Sequence, residues 1–296
     1  MSKQQIKQIV ETQVNDSVMI ETGIKGVQLF KVTAPIECAP AVYEPSVTAL
    51  VSGSKEAIVD GNRHEYDASK YICCTLSMPI ETGTPEASPD NPLLGVYITL
   101  DTRLMTELVI EMSHSSYRNR GLKNGIQAQG LSTARWDDAF TDALYRLLQL
   151  IDKPTDIAIL GQSRLRELYY AILTGDSGES VRRTFDVGND IVRSIEFLSS
   201  NLKQPITIDD MANQIGMSRA VFHRKFKQAT NMSPIQFIKS MRLNKAAMKI
   251  AEGINVNVAA MDVGYVSSSQ FSREFKRMYG QSPKQWRQTK TLAAQA

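Results

Sequence analysis

The chain has 296 residues, 42% hydrophobic and 22% charged, an ordinary globular balance with length enough for two separate cores. No apolar stretch approaches the ~18 residues of a membrane span, and MSKQQIKQIVETQ lacks a signal peptide's apolar run, so a cytoplasmic protein without membrane contact is expected. Net charge is only +3 but uneven: residues 1–185 carry 18 Lys and Arg against 23 Asp and Glu, whereas residues 186–296 carry 16 against 8. A basic C-terminal third beside an acidic remainder is the footprint of a nucleic-acid-binding unit joined to a different module.

In chain order, residues 26–101 read as strands. GVQLFKV, SVTALVSG, EAIV, KYICCTLSM and LLGVYITL are short β-rich runs separated by turn clusters. Asp60-Gly61-Asn62 predicts a hairpin turn, and ETGTPEASPDNP (81–92), with three prolines, predicts a surface loop. Strands at this spacing suggest a small antiparallel barrel or sandwich. The period then turns helical. Asp101 can cap TRLMTELVIEMS, and Leu144, Leu147, Leu148 and Ile151 mark one face of a helix starting near Asp137. After the break at Lys153-Pro154, Ile159, Leu165, Leu168 and Leu173 mark another. This helix pair either packs on the sheet or forms a homodimer interface. TGDSGES (174–180) is small and polar and reads as the linker region, beyond which everything is helical.

Two segments in this helical part repeat one another. ITIDDMANQIGMSRAVFHRKFKQATNMSP (206–234) and VNVAAMDVGYVSSSQFSREFKRMYGQSP (256–283) align Ala212 with Ala260 and Gly216 with Gly264. Phe222, Arg224, Phe226 and Lys227 then match Phe271, Arg273, Phe275 and Lys276, and Ser233-Pro234 matches Ser282-Pro283. The physics of each position is the same in both copies. A small alanine lets two helices approach, and glycine supplies a φ > 0 turn. Ser218 and Ser267 cap the next helix, the paired phenylalanines bury its inner face, and Ser-Pro starts the following helix. This is a helix-turn-helix written twice.

The opposite face of each third helix is the one expected to enter the major groove of double-stranded DNA. Ala220, His223 and Arg224 in the first copy, with Ser268, Ser269, Ser272 and Arg273 in the second, are candidate base contacts, since arginine can grip guanine bidentately. Ser218, Lys227, Lys239, Arg242, Ser267 and Lys276 are candidate phosphate contacts. A continuous helix over 235–252 would hold the heads about one DNA turn, ~34 Å, apart.

GMSRAVFHRKFKQATNMSP and VGYVSSSQFSREFKRMYGQSPKQWR resemble the AraC/XylS family of bacterial transcription regulators over about the last hundred residues. The stretch from YEPSVTALVSG to LLGVYITLD resembles the N-terminal domain of one AraC-type subfamily. The resemblance implies an N-terminal cupin-like effector-binding or dimerisation domain (1–178), a linker (179–188) and a DNA-binding domain (189–296). It also implies transcriptional activation, commonly through RNA polymerase. Ala259 departs from the Ile or Leu usual there, which loosens the packing expected of that helix.

A metal-binding cupin needs clustered histidines and carboxylates. The N-terminal region offers only His64 and His114 with no H-x-H, so neither a metal nor a cofactor is expected, and the domain reads as a binding module for a small-molecule effector. Adjacent Cys73 and Cys74 are the one hint of an effector site. As neighbours on a strand they point to opposite faces and cannot readily pair, and burial as packing residues is the competing role. An alkyl-transfer repair enzyme, the enzymatic alternative, would need a reactive-cysteine site that the sequence lacks. An effector-independent DNA-binding protein, dimerised by its N-terminal domain, stays open.

Overall fold

The structure is a computed structural model and describes residues 2–14, 19–114, 128–186, 189–205 and 207–293. It divides into two compact units. The first comprises Met1–Cys38, Glu44–Leu76 and Thr82–Asn189, the second Ala39–Tyr43, Ser77–Glu81 and Asp190–Ala296.

The first half of the chain supplies α1 (Ser2–Val14), β1 (Met19–Glu21), β2 (Val27–Val32), β3 (Ile36–Tyr43), β4 (Ser46–Ser52), β5 (Ser54–Val59) and β6 (Asn62–Asp67). Then come β7 (Lys70–Cys74), β8 (Met78–Thr84), β9 (Leu93–Thr99), α2 (Thr102–His114) and β10 (Leu131–Arg135). Helices α3 (Asp138–Leu148), α4 (Pro154–Thr174) and α5 (Gly178–Thr184) follow. The strands form a six-stranded sheet, β1-β2-β9-β4-β7-β10, and a four-stranded sheet, β3-β8-β5-β6. The expected barrel is therefore an open, cupin-like two-sheet arrangement rather than a closed one.

Local chemistry explains these elements. Val59 pairs with Asn62, so the hairpin turns on two residues, Asp60 (φ 48°) and Gly61 (φ 77°), as a primed turn requires. Strand β4 is buried from Ser46 to Val51 because its sheet carries helices as well as neighbouring strands. One of these is α1, whose Ile6, Val10 and Val14 recur every four residues and join Val27, Val47 and Val96 in the core. Asp101 caps α2 by accepting the Leu104 N–H at 3.1 Å, and Asp137 caps α3 by accepting that of Phe140 at 2.7 Å. Phe140 stacks on Tyr71 with ring centroids 4.0 Å apart, which fixes α3 to β7.

The face of α3 is fully used in this way, so the packing reading holds there. On α4 the expected stripe is split: Leu168 and Leu173 are buried, whereas Ile159 is 69% exposed. The segment expected to begin the linker is also ordered. At Gly178, which opens α5, an added Cβ would lie 2.3 Å from the Leu173 carbonyl oxygen, so only glycine allows this approach. The division between units falls after Asn189, and residues 187–188 of the expected linker lie outside the described residues.

The second unit contains α6 (Asp190–Ser200), α7 (Ile208–Gln214), α8 (Arg219–Thr230), α9 (Pro234–Ala251), α10 (Val256–Asp262), α11 (Ser268–Tyr279) and α12 (Pro283–Ala293). Two aromatic clusters hold it. Phe222, Phe226 and Phe237 meet at centroid distances of 5.6 and 5.3 Å in the first half. In the second half Phe275 meets Phe271, Tyr279 and Trp286, and the Trp286 indole N–H donates to Ala247 O at 3.1 Å. Asn244 of α9 is 1% exposed and fully partnered within this unit. Its amide donates to the carbonyls of Ala41 (2.7 Å) and Ile80 (2.9 Å), and its oxygen accepts from the Tyr279 hydroxyl (2.7 Å).

Candidate nucleic-acid interface

The repeat seen in the sequence is reproduced down to individual hydrogen bonds. Helix α7 ends as Met217 N donates to Ala212 O at 2.9 Å, across Gly216 at φ 64°. Helix α10 ends as Tyr265 N donates to Ala260 O at 3.0 Å, across Gly264 at φ 93°. Ala212 and Ala260 are buried, as a close helix crossing needs. Ser218 then caps α8 by accepting from Val221 N, and Ser267 caps α11 by accepting from Gln270 N. Phe222 and Phe226, like Phe271 and Phe275, are completely buried, which leaves the opposite sides of α8 and α11 outward. Ser233 forms a reciprocal capping box with Gln236 ahead of Pro234, and Ser282 with Gln285 ahead of Pro283.

On the outward faces Ala220, Arg224 and Lys227 of α8 are exposed, as are Ser268, Ser269, Arg273 and Lys276 of α11. Ser218 and Ser267 are exposed too, with their hydroxyl oxygens engaged as caps. Ser272 is half-buried. His223 is also half-buried, and its Nε2 is covered and without a hydrogen-bond partner, so this edge of the ring does not face outward.

Two of the basic residues expected at phosphates are occupied within the unit. Arg242 donates from Nε (3.0 Å) and Nη2 (2.6 Å) to the Leu202 carbonyl, so it ties α9 to the segment following α6. Lys239 lies 3.6 Å from the Glu274 carboxylate and so braces α11 against α9. Sequence spacing put both on an outer face because periodicity cannot register a partner 35 or more residues away. The same reading passed over Lys225 and Arg277, which are exposed beside the expected residues. Their position on a helix of known register was the only signal.

Glu274 is the electrostatic pivot of α11. Burial alone would push its carboxyl up, but hydrogen bonds from Tyr265 and Gln270 and the nearby Lys239 ammonium together hold it below the usual range. Asp262, at the end of α10, accepts from Lys249 at 2.5 Å and Lys203 at 3.1 Å, and these bonds lower its carboxyl likewise. Both acids therefore stay ionised and fix lysines to the scaffold.

Cys73 and Cys74 are buried, and only Cys73 belongs to the main core, as opposite faces of β7 require. Burial pushes the Cys73 thiol up to about 12, and Cys74 Sγ donates to Leu76 O at 3.0 Å. Thiols in this state pack rather than react. His64 lies on β6, and the His114 side chain lies outside the described residues. Among the described residues no three His, Cys, Asp or Glu converge as metal ligands, and no helix is long and apolar enough to cross a membrane.

Two helix-turn-helix units sharing one connecting helix, each with cations outside and phenylalanines inside, define a tandem nucleic-acid-reading module behind a cupin-like domain. Residues 23–180, more than half of the chain, match the family model of the AraC-type transcriptional regulator N-terminus, and residues 211–289 match a helix-turn-helix domain. The chain belongs to the AraC-type transcriptional regulators.

Among curated relatives, the raffinose operon transcriptional regulatory protein RafR of Pediococcus pentosaceus is 27% identical over 147 residues, 49% of this chain and 53% of RafR. The match thus spans about half the length of that relative. The regulatory protein SoxS of Salmonella typhimurium is 33% identical over 94 residues, 31% of this chain and 88% of SoxS. Among solved structures, ToxT of Vibrio cholerae bound to (E)-4-(8-methylnaphthalen-1-yl)but-3-enoic acid has a TM-score of 0.58 at 13% identity, covering 90% of this chain and all of ToxT. ToxT bound to an unsaturated fatty acid has a TM-score of 0.57 at 12% identity, covering 92% of this chain and 96% of that one. At such identity the likeness is one of fold.

Proposed function

We propose that this protein is a sequence-specific DNA-binding transcription regulator, an activator whose first unit responds to a small-molecule effector. The observation that carries this is the duplicated unit itself, with Arg224 and Lys227 of α8 and Arg273 and Lys276 of α11 all outward and exposed. In this reading Arg224 and Arg273 meet base edges, flanked by Ala220, Ser268, Ser269 and Ser272, and Lys227 and Lys276 meet phosphates. Ser218 and Ser267 approach the backbone at the helix N-termini. Lys239 and Arg242 contribute by positioning rather than by contact, and Lys225 and Arg277 join the phosphate set.

The target is an extended duplex site covering two successive major grooves. RNA polymerase is the partner for activation. Effector control is supported by the cupin-like unit and by ToxT, whose fold accommodates apolar acids. A second copy of the chain fits the exposed Ile159, Leu160 and Tyr170 of α4. No catalytic role is assigned.

The test is selection of bound duplexes from a random pool by the full chain, repeated with Arg224→Ala and Arg273→Ala. Each variant should relax preference at its own base positions and cost ~1–3 kcal/mol on the selected site. Wild-type protein with no preference over random competitor would remove the regulator reading altogether.

A further inference from the structure

A cavity of about 680 Å³ lies wholly within the first unit, between the β1–β2 turn, the start of α2 and one face of α4. Ile24, Leu100, Leu104, Ile157 and Leu165 give it an apolar lining, in the size range of small-molecule pockets. Its back wall contains Gly161, in the interior of α4, where glycine is an unfavourable helix residue. Gly161 is buried, yet a Cβ built there would meet nothing nearer than Ile157 Cγ2 at 3.8 Å. No neighbouring atom demands a glycine, so its missing side chain adds only to the open space.

The rim is pre-shaped. Gly23 and Gly26, at φ 78° and 77°, set the turn carrying Lys25. Thr22 Oγ1 donates to Val27 O at 2.8 Å, and Thr99 N donates to Gly26 O at 2.8 Å, pinning the turn at both ends. The charged side chains of the lining are one cation, Lys25, and one anion, Asp101. Asp101 is committed through one oxygen to Leu104 N, and Tyr169 both donates to Thr99 O and accepts from Asp101 N. Lys25 and Gln162 have no partner among the described residues, and Lys25 is exposed at the rim.

We propose that this cavity is a ligand site for a small monocarboxylic acid, with its apolar body against Gly161 and the aliphatic wall and its carboxylate at Lys25 and Gln162. The proposal rests on the effector reading above and supplies its site and ligand class.

The test is calorimetric titration of the full chain with hexanoate, octanoate, decanoate and phenylbutyrate, and with octan-1-ol and octylamine. At least one acid should bind saturably, at one site per chain, about tenfold or more tighter than the alcohol and the amine. Lys25→Met should weaken the acid by about tenfold while leaving the alcohol unchanged. Gly161→Ala should bind as wild type, and Gly161→Leu, which fills the space on a helix it otherwise favours, should lose binding. If Gly161→Leu melts without cooperativity, the Lys25→Met and Gly161→Ala results decide. Absence of binding by every acid, preference for the amine, or acid binding indifferent to both Lys25→Met and a folded Gly161→Leu would overturn the proposal. Selection of DNA sites by the same wild-type preparation tests the regulator reading separately, so the two fail independently.

Discussion

The two turn glycines of the repeat perform the same task at unequal cost, and this makes the double unit open to a quantitative test. At Gly216, φ is 64° and an added Cβ has nothing within 4 Å. Alanine there meets only the left-handed backbone penalty of ~1–2 kcal/mol, partly offset by ~0.4–1 kcal/mol from the stiffer unfolded chain. A net loss of about 1 kcal/mol follows. At Gly264, φ is 93°, and the added Cβ would lie 2.5 Å from Leu202 O and 3.0 Å from Lys203 Cα. Both are backbone atoms, and Leu202 O is the acceptor for Arg242, so yielding disturbs that anchor as well. Overpacking adds ~1–3 kcal/mol to the backbone penalty, for a total near 3 kcal/mol. The assay is urea unfolding of the full chain carrying Trp136→Phe, so that Trp286, within the second aromatic cluster, is the reporter. Equal losses for Gly216→Ala and Gly264→Ala, within about 0.5 kcal/mol, would refute the close approach of Leu202 to α10.

Other perturbations follow from the same structure. Lys227→Ala should weaken binding to all duplexes alike and reduce the salt slope by about one, as measured by anisotropy across a salt series, whereas Arg242→Ala should lower melting temperature more than it changes that slope. The Glu274 carboxyl is held low in the folded chain, so its contribution is complete above the ordinary glutamate value near ~4.3 and is lost as pH falls through the lower folded value. Glu274→Gln should therefore flatten the acid limb of a stability–pH curve and leave the dependence around neutrality unchanged, while the basic limb shifts as well because the Glu274 carboxylate helps to hold the Tyr265 hydroxyl up. Asn244→Leu strands two carbonyls and the Tyr279 hydroxyl, and urea unfolding should show a loss of roughly 1–3 kcal/mol or more. Cys73 and Cys74 should escape iodoacetamide at neutral pH until urea opens the first unit, as read by peptide mass spectrometry. Rapid labelling of either in the native chain would contradict their burial.

The second unit was legible because its rules are local and are stated twice. A cap, a glycine and two phenylalanines at helical spacing need no partner from elsewhere, and Ser218, Gly216, Phe222 and Phe226 sit where their spacing puts them. Strands β2, β4, β5, β7 and β9 were legible for the same reason, through short β-rich runs bounded by turns. Long-range pairing was not. Strands β1, β3 and β10 are short or only partly buried, and their place depends on β2, β8 and β7, which no window of sequence contains. The first four residues of the expected loop at 81–92 are strand, because β8, which runs to Thr84, lies between β3 and β5 in its sheet. Helix α1 has a stripe only three residues wide in a polar segment, and it becomes significant once a sheet lies beneath it. Within the candidate interface the intramolecular partners of Lys239 and Arg242 were illegible for one cause: a helical position looks the same in sequence whether or not an acid or a carbonyl reaches it from a distant element.

Helix α9 runs unbroken from Pro234 to Ala251, 18 residues and about 27 Å at ~1.5 Å per residue. It therefore acts as a gauge. One inserted residue would lengthen it by only ~1.5 Å but turn everything beyond by about 100°, so the rear unit would face away from the groove rather than slide along it. Binding sites whose two halves are moved closer or further by a few base pairs should thus be rejected outright instead of being read more weakly.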